Sequence, residues 1–182
     1  MFLGTIPQPV RSILVERARA WGSREVWVAC SGNFTVERAL APLGVGLHSN
    51  DVSLYTSVLG ALFAGDTLRV RVRPEHREEW GWLSKWLRTP AAAAATVMLS
   101  TRMLTALHND NAYYRRLRRS HVEQWPAIHA ATVEKLKALE LRLDSFTPAD
   151  AVDWVRQAGC RSTRGWCRCR RCSGATGSRR RR

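Results

Sequence analysis

No stretch of this 182-residue chain is apolar for long enough to cross a bilayer. Its opening, MFLGTIPQPVRS, has neither the basic start nor the apolar middle of a secretory signal, so the sequence predicts a cytoplasmic protein with no membrane partner. Cysteine is nearly missing from the body: Cys30 stands alone before residue 160, as expected of a reduced, intracellular protein. Acids are missing from the end. Residues 157–182 hold nine arginines and no Asp or Glu, a charge of +9, whereas residues 1–156 hold 20 Lys and Arg against 15 acids, a charge of +5. The overall +14 therefore belongs mostly to the tail, and the body is only mildly basic. The length suits one ordinary domain with a small insertion.

Glycine is also scarce where a dinucleotide site would need it. Val26 to Cys30 is a short β-branched apolar run of the kind that makes a buried strand, and Ser31-Gly32-Asn33 follows as a polar turn with a single glycine. Thr35 then reads as the cap of an amphipathic helix carrying Val36, Ala39 and Leu40. A second apolar segment, Val45 to His48, runs into Asn50-Asp51, nineteen positions after Gly32. In a nucleotide-binding βαβ unit an acid about twenty residues past the glycine turn accepts ribose hydroxyls. One glycine is too few to cradle a pyrophosphate, which disfavours a nucleotide-dependent oxidoreductase and favours a cofactor with ribose but no phosphates. The plain alternative is an α/β scaffold with one glycine turn and one acid at a strand end.

The turn Cys30-Ser31-Gly32-Asn33-Phe34, followed by His48-Ser49-Asn50-Asp51-Val52-Ser53-Leu54-Tyr55, resembles the cofactor half of Dam-type adenine-specific DNA methyltransferases, and most of all the divergent phage versions described as antirestriction adenine methyltransferases. The resemblance runs from Met1 to about Val155. It implies a Rossmann-like α/β methyltransferase fold that uses S-adenosylmethionine and acts on double-stranded DNA. It also implies cofactor contacts at Cys30, Ser31, Gly32, Asn33, Asn50 and Asp51, and at Asp144, which matches the family's acidic-Ser-aromatic element. The segment Ile6 to Arg11 would lie at the lip of the pocket, although the family's glycine-lysine pair is absent there.

Along the rest of the body, Pro9 opens a helix to Ala20 with Val10, Ile13, Leu14 and Ala18 inward, beside the first strand. Leu54 to Gly65 reads as a core helix, and Thr67 to Arg73 alternates apolar and basic residues like a half-exposed strand. From Pro74 to about Leu143 the pattern is helical: one helix carries Trp80 to Leu87, a second runs from Thr89-Pro90 to Leu107, a third begins near Asp110, and Pro126 opens a fourth. The predicted layout is a cofactor-binding half over 1–73, a helical insertion for target recognition over 74–140, a return to the sheet over 141–156, and a disordered tail over 157–182. Inside the insertion, Asn109 to His121 places Tyr113, Tyr114, Arg115, Arg116, Arg118 and Arg119 together. They suit a DNA surface, with cations for phosphates and rings for stacking; the plainer reading is a solvated helix face.

The family's acceptor element, Asp/Asn-Pro-Pro-Tyr/Phe, should follow Phe146 within about twenty residues. None of the seven prolines adjoins another, so no catalytic residue is identified. The sequence turns instead into an Arg, Cys, Gly and Ser run without acids, as a reading-frame shift in GC-rich DNA would produce. Cys160, Cys167, Cys169 and Cys172 lack the paired spacing of common zinc sites, so no metal is expected. The predicted function is a truncated adenine methyltransferase-like protein with little or no activity; the alternative is a noncatalytic, basic, helical DNA-binding protein.

Overall fold

The computed structural model describes residues 6–22, 24–107 and 111–162, of which 102, 105–107 and 157–162 are described by backbone alone. Three parallel strands, β1 (Glu25–Val28), β2 (Gly46–Asn50) and β3 (Ser145–Thr147), make one small sheet in the order β1-β2-β3. Val26 pairs with Leu47 and Ser49 with Phe146, so one register runs across all three strands. Alternation along the strands divides the sheet into two faces. Val26, Leu47 and Phe146 turn towards a core that also holds Phe34, Leu40, Val58 and Phe63. Trp27 and His48 turn the other way and stack at 4.3 Å, with Trp154 against Trp27 at 5.4 Å.

Helices cover both faces, giving a mixed α/β molecule that is mostly helical. Between β1 and β2 runs α2 (Thr35–Leu40), and after β2 comes α3 (Leu54–Ala64), capped by Ser53 and ended by Gly65 in the left-handed conformation. Gly60 lies where α3 meets β3, and a Cβ there would overlap the Phe146 ring. Only glycine allows that approach. On the other face, α8 (Ala151–Ser162) brings in Trp154. At the chain's start, α1 (Gln8–Trp21) packs chiefly on α2. Ala18 is buried as expected, but Val10 and Ile13 are 45% and 55% exposed, because α1 turns Val15 to the core instead.

Between α3 and β3 the described residues are helical or irregular. Thr67 to Arg73 forms no strand, since its period-two pattern finds no neighbour to pair with. The single helix expected over Trp80 to Leu87 is broken into a 3-10 turn (Pro74–His76), one α-turn α4 (Arg77–Trp80) and a second 3-10 stretch (Gly81–Trp86). Three longer helices follow: α5 (Pro90–Leu107), α6 (Ala112–Glu123) and α7 (Trp125–Lys137). The last stops six residues short of Leu143, which joins the sheet core as loop. A second core forms where Leu99 and Met103 of α5 meet Leu83, Trp125 and the partly buried Trp80, Trp82 and Trp86. Thus α5 joins the two cores: Ala94, Ala95 and Val97 pack with the sheet cluster, and its later turns pack with the tryptophans.

The tail boundary shifts too. Helix α8 continues to Ser162, six residues into the stretch expected to be disordered. Residues 163–182, the side chains of the tail cysteines, and Asn109-Asp110 lie outside the described residues. Among the described residues no helix is long and apolar enough to cross a membrane, and no group of His, Cys, Asp and Glu is arranged to hold a metal.

Candidate functional site

The turn after β1 has an unusual backbone. Cys30, Gly32 and Phe34 all have positive φ, at 56°, 54° and 55°. Phe34 rather than Thr35 sits at the start of α2, and no side chain caps that helix. The compensation for Phe34's strain is its ring, almost fully buried and edge-on to Phe63 at 5.2 Å. The turn is tied to β2 by Ser31 N–H donating to the Asn50 carbonyl at 2.9 Å. Alternating left-handed residues turn backbone N–H groups into a concavity that attracts a negative charge. Here that charge is internal.

Gly32 N–H donates to Asp51 Oδ2 at 2.9 Å, and Ser53 N–H donates to Asp51 Oδ1 at 2.8 Å. The Thr56 hydroxyl donates to the Gly32 carbonyl at 2.9 Å, so the turn and the start of α3 are tied in both directions. Each carboxylate oxygen of Asp51 keeps a further lone pair for a ligand hydroxyl. An anion in the same place would meet Asp51 head on, so the turn suits a ribose without phosphate. The structure brings Ser31, Gly32, Asn33 and Asp51 to the carboxyl end of the sheet, with Cys30, a free and exposed thiol, at their edge.

Two other expected contacts are placed differently. Asn50 is fully buried, and its amide donates to the Thr147 carbonyl at 3.0 Å and the Ala149 carbonyl at 2.6 Å. Its donors are committed to holding the end of β3. Asp144 lies at the opposite end of the strands: its Oδ2 accepts from Leu47 N–H at 2.8 Å, four residues, or roughly 13 Å, before Asp51. The parallel register puts Asp144 beside the entry of β2, away from the turn.

Sequence reasoning missed Glu37. This α2 residue is wholly buried beneath the turn, accepting from the Ser49 hydroxyl at 2.9 Å, and its Oε2 has no hydrogen-bond partner among the described residues. Burial pushes its carboxyl above the ordinary value of 4.5, and the charge of Asp51 pushes the same way, against the Ser49 hydrogen bond. The one signal was Ser49, which alternation places beside Leu47 on the core face, where its hydroxyl needs a buried partner.

The second candidate surface is α6. Asn111 caps it by accepting from Tyr114 N–H at 3.0 Å, and Tyr113, 68% exposed, stands edge-on to Tyr114 at 5.2 Å. Arg115, Arg116 and Arg119 are exposed and Arg118 is half-buried. At about 100° per residue the four span about 160° of the helix, a broad cationic face.

A family model described as Phage DNA Adenine Methylase-like domain 1 matches residues 2–164. The chain belongs to this phage DNA adenine methylase-like family. No curated protein and no solved structure matches the chain. The matched span includes the glycine turn, Asp51, the α5 to α7 helices and all of α8, so the family pattern continues past Val155, where the resemblance in the sequence faded.

A cavity of about 430 Å³ also opens in the methylase-like chain, walled by the 70–73 segment, Trp80, Leu83 and α5. It reaches the first residue of α3, Leu54, three residues past Asp51.

Proposed function

We propose that this chain carries the S-adenosylmethionine half of a Rossmann-like DNA adenine methyltransferase, with Asp51 accepting the ribose hydroxyls and the Ser31-Gly32-Asn33 turn lining the same end of the sheet. The observation that carries this reading is the 2.9 Å bond from Gly32 N–H to Asp51 across two parallel strands. It fits a sugar and disfavours a pyrophosphate. In doubly wound sheets the ligand crevice lies at the carboxyl ends of the strands, at the switch point beyond the first strand. Among the described residues β1 pairs with β2 alone, so its other side is where a continuing sheet would add strands.

S-adenosylmethionine supplies the methyl group when bound. The residues of this chain orient it: Asp51 fixes the sugar, Asn50 holds the end of β3, and the arginine face of α6 meets DNA phosphates. Methyl transfer needs an acceptor for the amino hydrogens of the target base, and the Pro-Pro-aromatic element that would provide it is absent from this sequence. Turnover of unmethylated DNA by this chain is therefore low or nil.

Titration calorimetry with S-adenosylmethionine tests the reading. Saturable heat that disappears in Asp51→Ala, while circular dichroism shows the variant folded, supports it. Absence of heat from the folded wild-type protein, with DNA binding intact, leaves a noncatalytic DNA-binding protein as the better description.

A further inference from the structure

We propose that the cavity between the 70–73 segment, the tryptophan-rich turns and α5 binds a nucleobase that carries a phosphate. The inference takes its occupant from the DNA-acting reading above and owes nothing to the cofactor turn. The walls are apolar: Val70, Val72, Trp80, Leu83, Val97 and Leu104 line them. The volume, about 430 Å³, falls in the range of small-molecule sites. The half-buried Trp80 offers an aromatic face, and stacking on such a face accepts any base. One interior polar group stands out. Ser100 lines the cavity and its hydroxyl oxygen is buried with no hydrogen-bond partner among the described residues. A hydroxyl both donates and accepts, so it suits a base edge of either kind.

The mouth carries charges of both signs. Arg71, Arg73 and His76 border it against Glu79, and Arg73 is drawn towards Glu75 at 3.8 Å, which leaves Arg71 best placed for a phosphate. One further connection favours a nucleotide over a fatty acid of similar size. Glu79 and Trp80 also line a neighbouring hollow whose other side is Arg118 and Arg119 of α6. The cavity thus adjoins a hollow bordered by the arginine helix. Trp80 lines both the cavity and that hollow.

The test uses the full chain and four probes in calorimetric titrations: dAMP, adenosine, 2-deoxyribose 5-phosphate and decanoate. The expected result is saturable binding of dAMP, weaker binding of adenosine, and none of the sugar phosphate. Arg71→Glu, a change at an exposed rim position, should weaken dAMP about tenfold and leave adenosine unchanged. Ser100→Phe, which fills the cavity, should abolish both. Excess S-adenosylhomocysteine should displace neither. Displacement would put the nucleotide in the cofactor turn and overturn the inference, as would no saturable dAMP binding or tighter binding of decanoate. If the cofactor reading fails, so that S-adenosylhomocysteine itself does not bind, the dAMP result stands unaffected. A single-stranded oligonucleotide containing 2-aminopurine identifies the source of the base. Quenching on binding that is lost in Ser100→Phe assigns the cavity to a base extruded from a strand; dAMP binding without such quenching assigns it to a free nucleotide. Both outcomes uphold the site.

Discussion

Gly32 N–H and the Asp51 carboxylate meet at 2.9 Å although nineteen residues separate them in the chain. The contact exists because β1 and β2 are parallel neighbours and the turn after one faces the end of the other. Asp51 accepts from Gly32 with one oxygen and from Ser53 with the other, so neither oxygen is replaceable by a donor. Asp51→Asn is therefore not conservative: its NH₂ group would face one of two N–H donors. Asn and Ala should each lower stability by about 1 to 3 kcal/mol, through an N–H left without its acceptor, and abolish S-adenosylmethionine binding. Thermal melts and calorimetry check this, and an Asn variant that binds the cofactor as the wild type does would refute the ribose role.

Glu37 makes stability depend on pH. Its folded pKa is raised, chiefly by burial, so the protonated form is the one that folding favours. The sign follows from linkage: the contribution is fully present below the unfolded value of 4.5 and is lost as pH rises through the folded value. Glu37→Gln keeps the shape and an acceptor for Ser49 while removing the titration. Urea unfolding at several pH values from 4 upwards should show wild-type stability falling relative to Glu37→Gln. Parallel curves for the two proteins would mean that Glu37 is not perturbed.

The turn, its flanking strands and Asp51 were legible because they are local: a β-branched run, one glycine and an acid at a fixed spacing define them. Longer-range register was not. Asp144 and Asn50 looked like ligands by position, but pairing of β3 with β2 sets Asp144 beside Leu47 and turns the Asn50 amide towards the 147–149 carbonyls. Thr67 to Arg73 has a strand's alternation and lacks a partner, and periodicity does not reveal whether a neighbour exists. Glu37 was hidden because a lone acid on a short helix reads as solvated, and only Ser49 across the sheet explains its burial.

Gly60 fixes how closely α3 approaches β3. A methyl group there overlaps the Phe146 ring, which sits in the sheet core and has little room to move. Gly60→Ala should cost about 1 to 3 kcal/mol despite the better helix propensity of alanine. Phe146→Leu removes the obstructing ring, so the double variant should lose less than the sum of the two single changes. Additive losses in chemical denaturation would show that the close packing at this crossing is not the cause.

The arginines of α6 predict how DNA binding responds to salt. Each phosphate contact releases a counterion, so the slope of log affinity against log salt changes by about 0.9 per contact on duplex DNA. Replacing Arg115, Arg116, Arg118 and Arg119 by Ala should flatten the slope by between about two and four units, depending on how many of the four reach phosphates at once. Asp51→Ala should leave the slope as it is, because the glycine turn and α6 are separate surfaces. Fluorescence anisotropy on an unmethylated duplex across a salt series separates the two sites. An unchanged slope in the quadruple variant would remove α6 from the interface and assign the basic binding to residues elsewhere in the chain.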